Sequence, residues 1–327
     1  MKIFVSGATG SIGAHLVKML SERGHTVHAL VRSMEKARNL SFENVFPFQG
    51  DITDKSSVDA AMKNCEQAYH VAAYAEVWAK DSGIFYDINV GGTVNVMQSA
   101  LEHDIKRVVF TSTAGIFGPS LNGIITEEKI RDVDLFNEYE GSKLMAESVV
   151  KDFVNLHDLD VVIISPTRVY GPFLFGEPSS TTLMIDKFVN GGWRLYPGDG
   201  TGIGNYVYIE DVALAHILAM EKGKKGETYL IGGENYDYIT FFKMMGEIAG
   251  IKRKMFKIPM WEQLIFARLE LFFAIWFNKK PEVTPKWIVR GKYHYELSPA
   301  KAVRELGLPI TPIEEGLKKS VEWVRGR

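Results

Sequence analysis

Apolar residues along this chain recur in two alternating rhythms. Short runs such as KIFVSG (2–7), TVHALV (26–31) and NVFPFQGD (44–51) are rich in apolar residues, which predicts buried strands. Between them, SIGAHLVKMLSERG (11–24) and SSVDAAMKNC (56–65) place apolar residues at helical spacing. The alternation continues with a strand at QAYHVAA (67–73), a helix around 88–104 and a strand at RVVFTST (107–113). A helix from about Tyr139 to His157 and a strand at DVVIISP (160–166) follow. Strands alternating with helices in this way predict an α/β fold, a doubly wound parallel sheet of the Rossmann type with helices on both faces.

After Pro166 the rhythm breaks. Gly, Pro and Ser crowd 171–204, which reads as loop. A helix returns at IEDVALAHILAME (209–221), then a strand at ETYLIGG (227–233), then a helical, aromatic-rich C-terminal third. The expected layout is a nucleotide-binding domain over 1–171 and 205–222. A smaller, mostly helical substrate lobe would come from 172–204 and 223–327.

Composition narrows the function classes. With 327 residues, a formal net charge of -2 and scattered Lys and Arg, nothing in the chain calls for nucleic acid as a partner. The single cysteine, Cys65, permits no internal disulfide and reads as a small buried hydrophobe. MKIFVSGATG opens a strand and does not read as a signal peptide. The apolar stretch 261–277 contains Glu262, Arg268 and Glu270, too short and too charged for a transmembrane segment, so a cytoplasmic protein is expected. Trp261, Phe266, Phe272, Phe273, Trp276 and Phe277 crowd that stretch. They read as core, subunit contact, substrate lid or membrane-facing patch, and a homodimer is compatible with the second of these.

GATGSIG (7–13) stands between the first strand and the first helix, the context that gives a glycine pattern meaning. Gly7 would permit the tight turn, Gly10 the approach of a pyrophosphate, and Gly13 close helix–sheet packing. The helix N-terminus would offer free N–H groups to the phosphates. The second strand ends at Arg32, with Lys36 following, where an NAD-selective chain has a carboxylate. A guanidinium suits a 2′-phosphate, so NADP(H) is the preferred cofactor and NAD(H) the alternative. Asp51 in GDITD (50–54) is placed to meet an adenine edge, while Thr53 or Asp54 could cap the next helix. His25 and His28 have no supporting ligand cluster, and no metal site is expected.

YEGSK (139–143) sets Tyr139 and Lys143 four apart, on one face and one turn of a helix. Taken with GATGSIG, GDITD, HVAA, NVGGT, FTSTAGIFG, SPTRVYGP and YVYIEDVALAH, the chain resembles an extended short-chain dehydrogenase/reductase. Within that superfamily it is similar to the dihydroflavonol-reductase-like and 3β-hydroxysteroid-dehydrogenase-like branches. The resemblance implies that Tyr139 is the general acid or base. It implies that Lys143 stabilises the phenolate and holds the nicotinamide ribose, that Thr113 is the hydroxyl partner, with Ser112 as fallback, and that Asn89 supports the lysine. It also implies that Thr9, Ser11, Ile12, Ile52, Ala72, Ala73, Pro166 and Val169 join the glycines around the cofactor.

Departures within the motifs separate the reactions of the superfamily. Dehydratases carry an Asp–Glu pair after the strand-end Thr; here those positions are Ala114 and Gly115. Nucleotide-sugar epimerases carry Arg–Asp where this chain has Gly204 and Asn205, although Arg194 could compensate. The expected function is NADPH-dependent reduction of a ketone or aldehyde, a small-molecule carbonyl substrate of mostly apolar character. The alternatives are an NAD-dependent nucleotide-sugar epimerase and a non-catalytic NADP-binding redox regulator.

Overall fold

Seven parallel strands form the main sheet, in the order β3-β2-β1-β4-β5-β6-β9. They are β1 (Lys2–Ser6), β2 (Thr26–Val31), β3 (Val45–Gln49), β4 (Gln67–His70), β5 (Arg107–Thr111), β6 (Val161–Pro166) and β9 (Thr228–Ile231). The three remaining strands, β7 (Arg168–Tyr170), β8 (Ile203–Tyr208) and β10 (Glu234–Asp237), make a small second sheet ordered β10-β8-β7. The coordinates are those of a computed structural model, which describes all residues except 177 and 278.

Side-chain alternation divides the core into two layers. Ile3 and Val5 of β1 pack with helices Ser11–Glu22 and Ile209–Lys222 on one face, while Phe4 packs with helices Lys55–Met62 and Gly92–Glu102 on the other. All six residues of β6 are buried, as a central parallel strand covered on both faces requires. The strand order reverses between β1 and β4, which opens a crevice at the carboxyl ends of those strands. The glycine loop occupies the β1 side of that crevice.

The expected doubly wound sheet is present, and two expectations about its surroundings need correction. Residues 171–204 are not continuous loop: Ser180–Val189 is a helix, capped by the Ser179 hydroxyl accepting from the Thr182 N–H at 3.1 Å. The division of the chain also shifts. TYLI, inside the stretch expected to belong to the substrate lobe, is β9, the edge strand paired with β6. Residues 205–208, expected in the main domain, lie in β8 of the small sheet. Against the small sheet stands a separate apolar cluster that includes Tyr170, Phe188, Tyr206, Phe241 and Leu317.

Candidate active site

The turn after β1 needs its glycines for measurable reasons. Gly7 has φ +74°, and a Cβ there would lie 2.6 Å from the Ala72 nitrogen. A Cβ on Gly13 would sit 2.0 Å from the Gly7 carbonyl oxygen, a collision with backbone that no rotamer relieves. Gly10 is the N-cap of helix Ser11–Glu22, offers no capping side chain, and no acid occupies the first turn. The Ala14 N–H closes the first helical bond at 2.9 Å to the Gly10 carbonyl, so Ser11, Ile12 and Gly13 present their N–H groups outward. Thr9 is approached from above by Gly176, whose own Cβ would lie 2.6 Å from the Thr9 carbonyl oxygen. A pyrophosphate fits this cradle of free N–H groups and absent side chains.

Around the cradle, the other cofactor candidates gather at the carboxyl ends of β2 to β6. Arg32 and Lys36 are exposed just beyond β2, and their side chains form no ion pair among the described residues. Asp51 folds into its own turn, accepting from the Thr53 N–H and hydroxyl, both at 2.9 Å. Helix Lys55–Met62 is capped by Asp54, not Thr53. The Asn95 amide bonds the Ile52 carbonyl at 2.8 Å, fixing that loop to helix Gly92–Glu102. Ala72 donates its N–H to the Ser6 hydroxyl at 3.3 Å, and Ala73 follows it on the same loop. Pro166 is buried at the end of β6, and Val169 packs partly against the main core.

Asn89 sits in a π-helical turn, Asp87–Gly91, and is buried. Among the described residues Asn89 makes no hydrogen bond to Lys143, which was expected to rely on it. The Asn89 amide oxygen accepts from the Tyr74 N–H at 2.6 Å, and its nitrogen donates to the Tyr74 carbonyl at 3.1 Å and to the Ser142 hydroxyl at 2.9 Å. Ser142 in turn donates to the Tyr139 carbonyl at 3.0 Å. Asn89 thereby ties the loop after β4 to the helix that carries Tyr139.

That helix, Glu138–His157, starts at an Asn137 cap, whose side chain accepts the Glu140 N–H at 2.9 Å. Tyr139 is half-buried, and burial pushes its phenol above the usual tyrosine value. Opposing that are the nearby Thr113 hydroxyl and the positive charge of Arg290; Glu140 adds to the upward push. The cation expected in this role was Lys143. Its ammonium instead donates to the Thr111 carbonyl at 2.7 Å and lies 4.4 Å from the Phe110 ring centre. Only 1% exposed, Lys143 is pushed down to about 7 by burial, partly offset by Glu147.

Thr113 follows β5 and caps a short turn, accepting the Gly115 N–H at 3.2 Å. The fallback, Ser112, is buried with its hydroxyl unpartnered, and only Thr113 among the two acts on the phenol. Thr113→Ser is expected to retain most activity, since the hydroxyl stays. Thr113→Val should lose at least about tenfold, because both the Gly115 N–H and the phenol lose their partner. Initial-rate assays of the two variants side by side check this, and equal rates would remove Thr113 from the site.

Several charged groups beside Tyr139 were missed in the sequence. Glu140, 1% exposed, is held between two arginines, Arg131 at 2.8 Å and Arg290 at 2.7 Å. Arg290 comes from helix Pro285–Arg290, lies 4.3 Å from the Tyr295 ring centre, and has a guanidinium nitrogen 3.6 Å from where a Gly115 Cβ would stand. The local signal was the acid inside YEGSK: a carboxylate on a buried helix face demands a cation. Arg168 is a second surprise. Its guanidinium fills the space over Gly204, 2.5 Å from a Cβ built there, and donates to the Tyr238 hydroxyl at 2.6 Å. Arg194, expected to compensate for the Gly204 position, is exposed elsewhere. Away from the site, His28 bonds the Ala61 carbonyl at 2.9 Å, and burial pushes the Cys65 thiol up to about 12, which leaves it inert.

Residues 3–232 match the profile described as the NAD dependent epimerase/dehydratase family. The chain belongs to that family. Its members of this extended short-chain dehydrogenase/reductase type are NAD(P)-dependent oxidoreductases, epimerases and dehydratases. The chain is 31% identical to a candidate dihydroflavonol 4-reductase of Synechocystis sp., over 98% of this chain and 93% of the relative. It is also 31% identical to sterol demethylase protein B of Methylococcus capsulatus, covering 100% of this chain and 99% of the relative. Among solved structures, UDP-glucose 4-epimerase of Thermotoga maritima with UDP-glucose superposes with a TM-score of 0.81, at 25% identity over 100% of this chain and 99% of the other.

Proposed function

We propose that this member of the family is an NADPH-dependent reductase of a ketone or aldehyde on a mostly apolar small molecule. The observation that carries the reading is the Thr113 hydroxyl set against the Tyr139 phenol, on a strand-end turn that continues as Ala114 and Gly115 with no carboxylate. Similarity to a candidate dihydroflavonol 4-reductase and to a sterol demethylase protein supports it. The Gly7–Gly13 cradle would hold the pyrophosphate, Arg32 and Lys36 a 2′-phosphate, Asp51 the adenine edge, and Lys143 the nicotinamide ribose. When bound, the nicotinamide would supply the hydride for the carbonyl carbon. Tyr139 protonates the carbonyl oxygen, and Thr113 donates a hydrogen bond that stabilises charge developing there. The substrate body would lie in the lobe built on the small sheet and the C-terminal helices.

Cofactor choice tests the reading first. An exposed guanidinium facing a 2′-phosphate should favour NADPH over NADH by about tenfold, after allowance for solvent screening. Arg32→Asp should reverse the preference, replacing attraction by repulsion and restoring a ribose acceptor. Competition titrations at fixed ionic strength read the switch. Tighter binding of NADH than NADPH by the unaltered protein would overturn it.

A second reading, a nucleotide-sugar epimerase, is favoured by one observation: Arg168 restores a guanidinium over Gly204. A rise in melting temperature with UDP-glucose, and none with apolar carbonyls, would transfer the assignment to it.

A further inference from the structure

The helix Met260–Phe277 buries only two of its residues, Ala267 and Ala274. They lie two turns apart, so a single narrow stripe of small side chains faces the protein. On the far side Trp276 is 71% exposed, Trp261 62%, Leu269 53% and Phe272 50%. At about 100° per residue, Ile265, Leu269, Phe272 and Trp276 all point within about 40° of the direction opposite that stripe. Adjoining it, Phe256 and Leu195 bridge to one another and are 44% and 43% exposed. Of the four readings open for these aromatics, ordinary core is excluded by their exposure. Stretches of this size do not stay in water without a partner.

The charges around the patch indicate what the partner is. Lys252, Lys254 and Lys257 precede the helix, Arg268 lies on it and Lys279 follows it; all are exposed, and none forms an ion pair among the described residues. The acids nearby are Glu262, in the first turn, and Glu270, which accepts the Glu282 N–H at 3.1 Å. No described helix is long and apolar enough to cross a membrane. Exposed apolar side chains over more than half the helix circumference, tryptophans among them and interrupted by Glu262 and Arg268, with unpaired lysines before and after the helix, fit a helix lying in a bilayer interface. A second copy of this chain is the weaker fit, because a two-fold contact through this face would bring like cations together.

We propose that helix Met260–Phe277, with the preceding Lys252–Lys257 segment, docks the enzyme onto an anionic lipid bilayer without spanning it. Residues after the helix return to the loop after β4, where Lys280 pairs with Glu76 at 2.7 Å and Trp287 donates to the Val77 carbonyl at 3.3 Å, and then to Arg290 beside Tyr139. Docking would thus set the active-site mouth beside the lipid, where an apolar substrate partitions. The exposed face and its flanking lysines are there whichever reaction the site performs.

The test uses the full chain, saturated with NADPH, and vesicles of phosphatidylcholine alone or mixed equally with phosphatidylglycerol. The protein should sediment with the mixed vesicles, blue-shift its tryptophan emission there, and dissociate as salt is raised. A Phe273→Glu, Trp276→Glu double variant should bind at least about tenfold more weakly. A Lys252→Glu, Lys254→Glu, Lys257→Glu triple variant should lose the preference for anionic lipid. Unchanged NADPH binding and unfolding midpoint establish that both variants are folded. Failure of the folded wild-type protein to sediment with either vesicle overturns the proposal. So does a stable dimer in light scattering that the double variant dissociates without any vesicle binding, since a second copy then covers the face.

Discussion

Tyr139→Phe should lower turnover by about 10²-fold or more while leaving cofactor affinity nearly unchanged. Phenylalanine keeps the ring and its packing, so the loss isolates the hydroxyl. The charged groups acting most on the phenol are Arg290, whose guanidinium does not give up a proton, and Glu140, which is bound by two arginines. The pH dependence carries a sign. Burial raises the phenol above its ordinary value, so it is protonated at neutral pH and ready to donate. Reduction should hold steady through neutrality and fall once pH passes that raised value. Oxidation of the alcohol needs the phenolate and should rise over the same range. Rate profiles in both directions check this, and a Tyr139→Phe protein that turns over normally would sink the proposed role.

Lys143→Met should separate stability from function. The buried ammonium titrates near 7 against 10.5 for an ordinary lysine, so between those values the unfolded chain holds more protons and stability rises with pH. The destabilisation by the charged form is fully present below about pH 7 and vanishes above 10.5. Methionine removes it, at the expense of the bond to the Thr111 carbonyl. A net gain on the order of 1–3 kcal/mol is expected at pH 6, shrinking towards nothing at pH 10. NADPH binding and turnover should both weaken by tenfold or more if the ammonium holds the ribose. Denaturant titrations at the two pH values, with cofactor titrations alongside, measure the two effects. Unchanged cofactor affinity would remove the ribose role.

What could be read in the sequence follows how local each demand is. Gly7 and Gly13 were legible because their requirements, a positive φ and a 2.0 Å backbone approach, arise within seven residues. The parallel sheet was legible because central strands such as β6 are apolar on both faces. Helix Ser180–Val189 was hidden by the Gly, Pro and Ser around it, although Ser179 with Thr182 is an ordinary cap. The π turn at Asn89 has no sequence signature, since INVGGT would make an ordinary helix as well. Arg290 was out of reach: its partner Glu140 is 150 residues away, and nothing in PKWIVR marks a site. The apolar density of 260–277 was plain, but density alone does not say which face meets solvent.

The long reach from Glu140 to Arg290 also bears on how the chain is made. A growing polypeptide released through residue 232 already holds every strand of the main sheet, including β9. At that stage Glu140 has Arg131 as its only arginine partner, and the second cation beside Tyr139 is still absent. Domains generally fold from the N-terminus during synthesis, at about 5–20 residues per second. The Rossmann half would therefore wait several seconds, its strands complete but without the second guanidinium beside Tyr139, for helix Pro285–Arg290 to emerge. That guanidinium arrives only after the sheet is complete, and activity in a nascent-chain assay should lag behind the acquisition of cofactor binding.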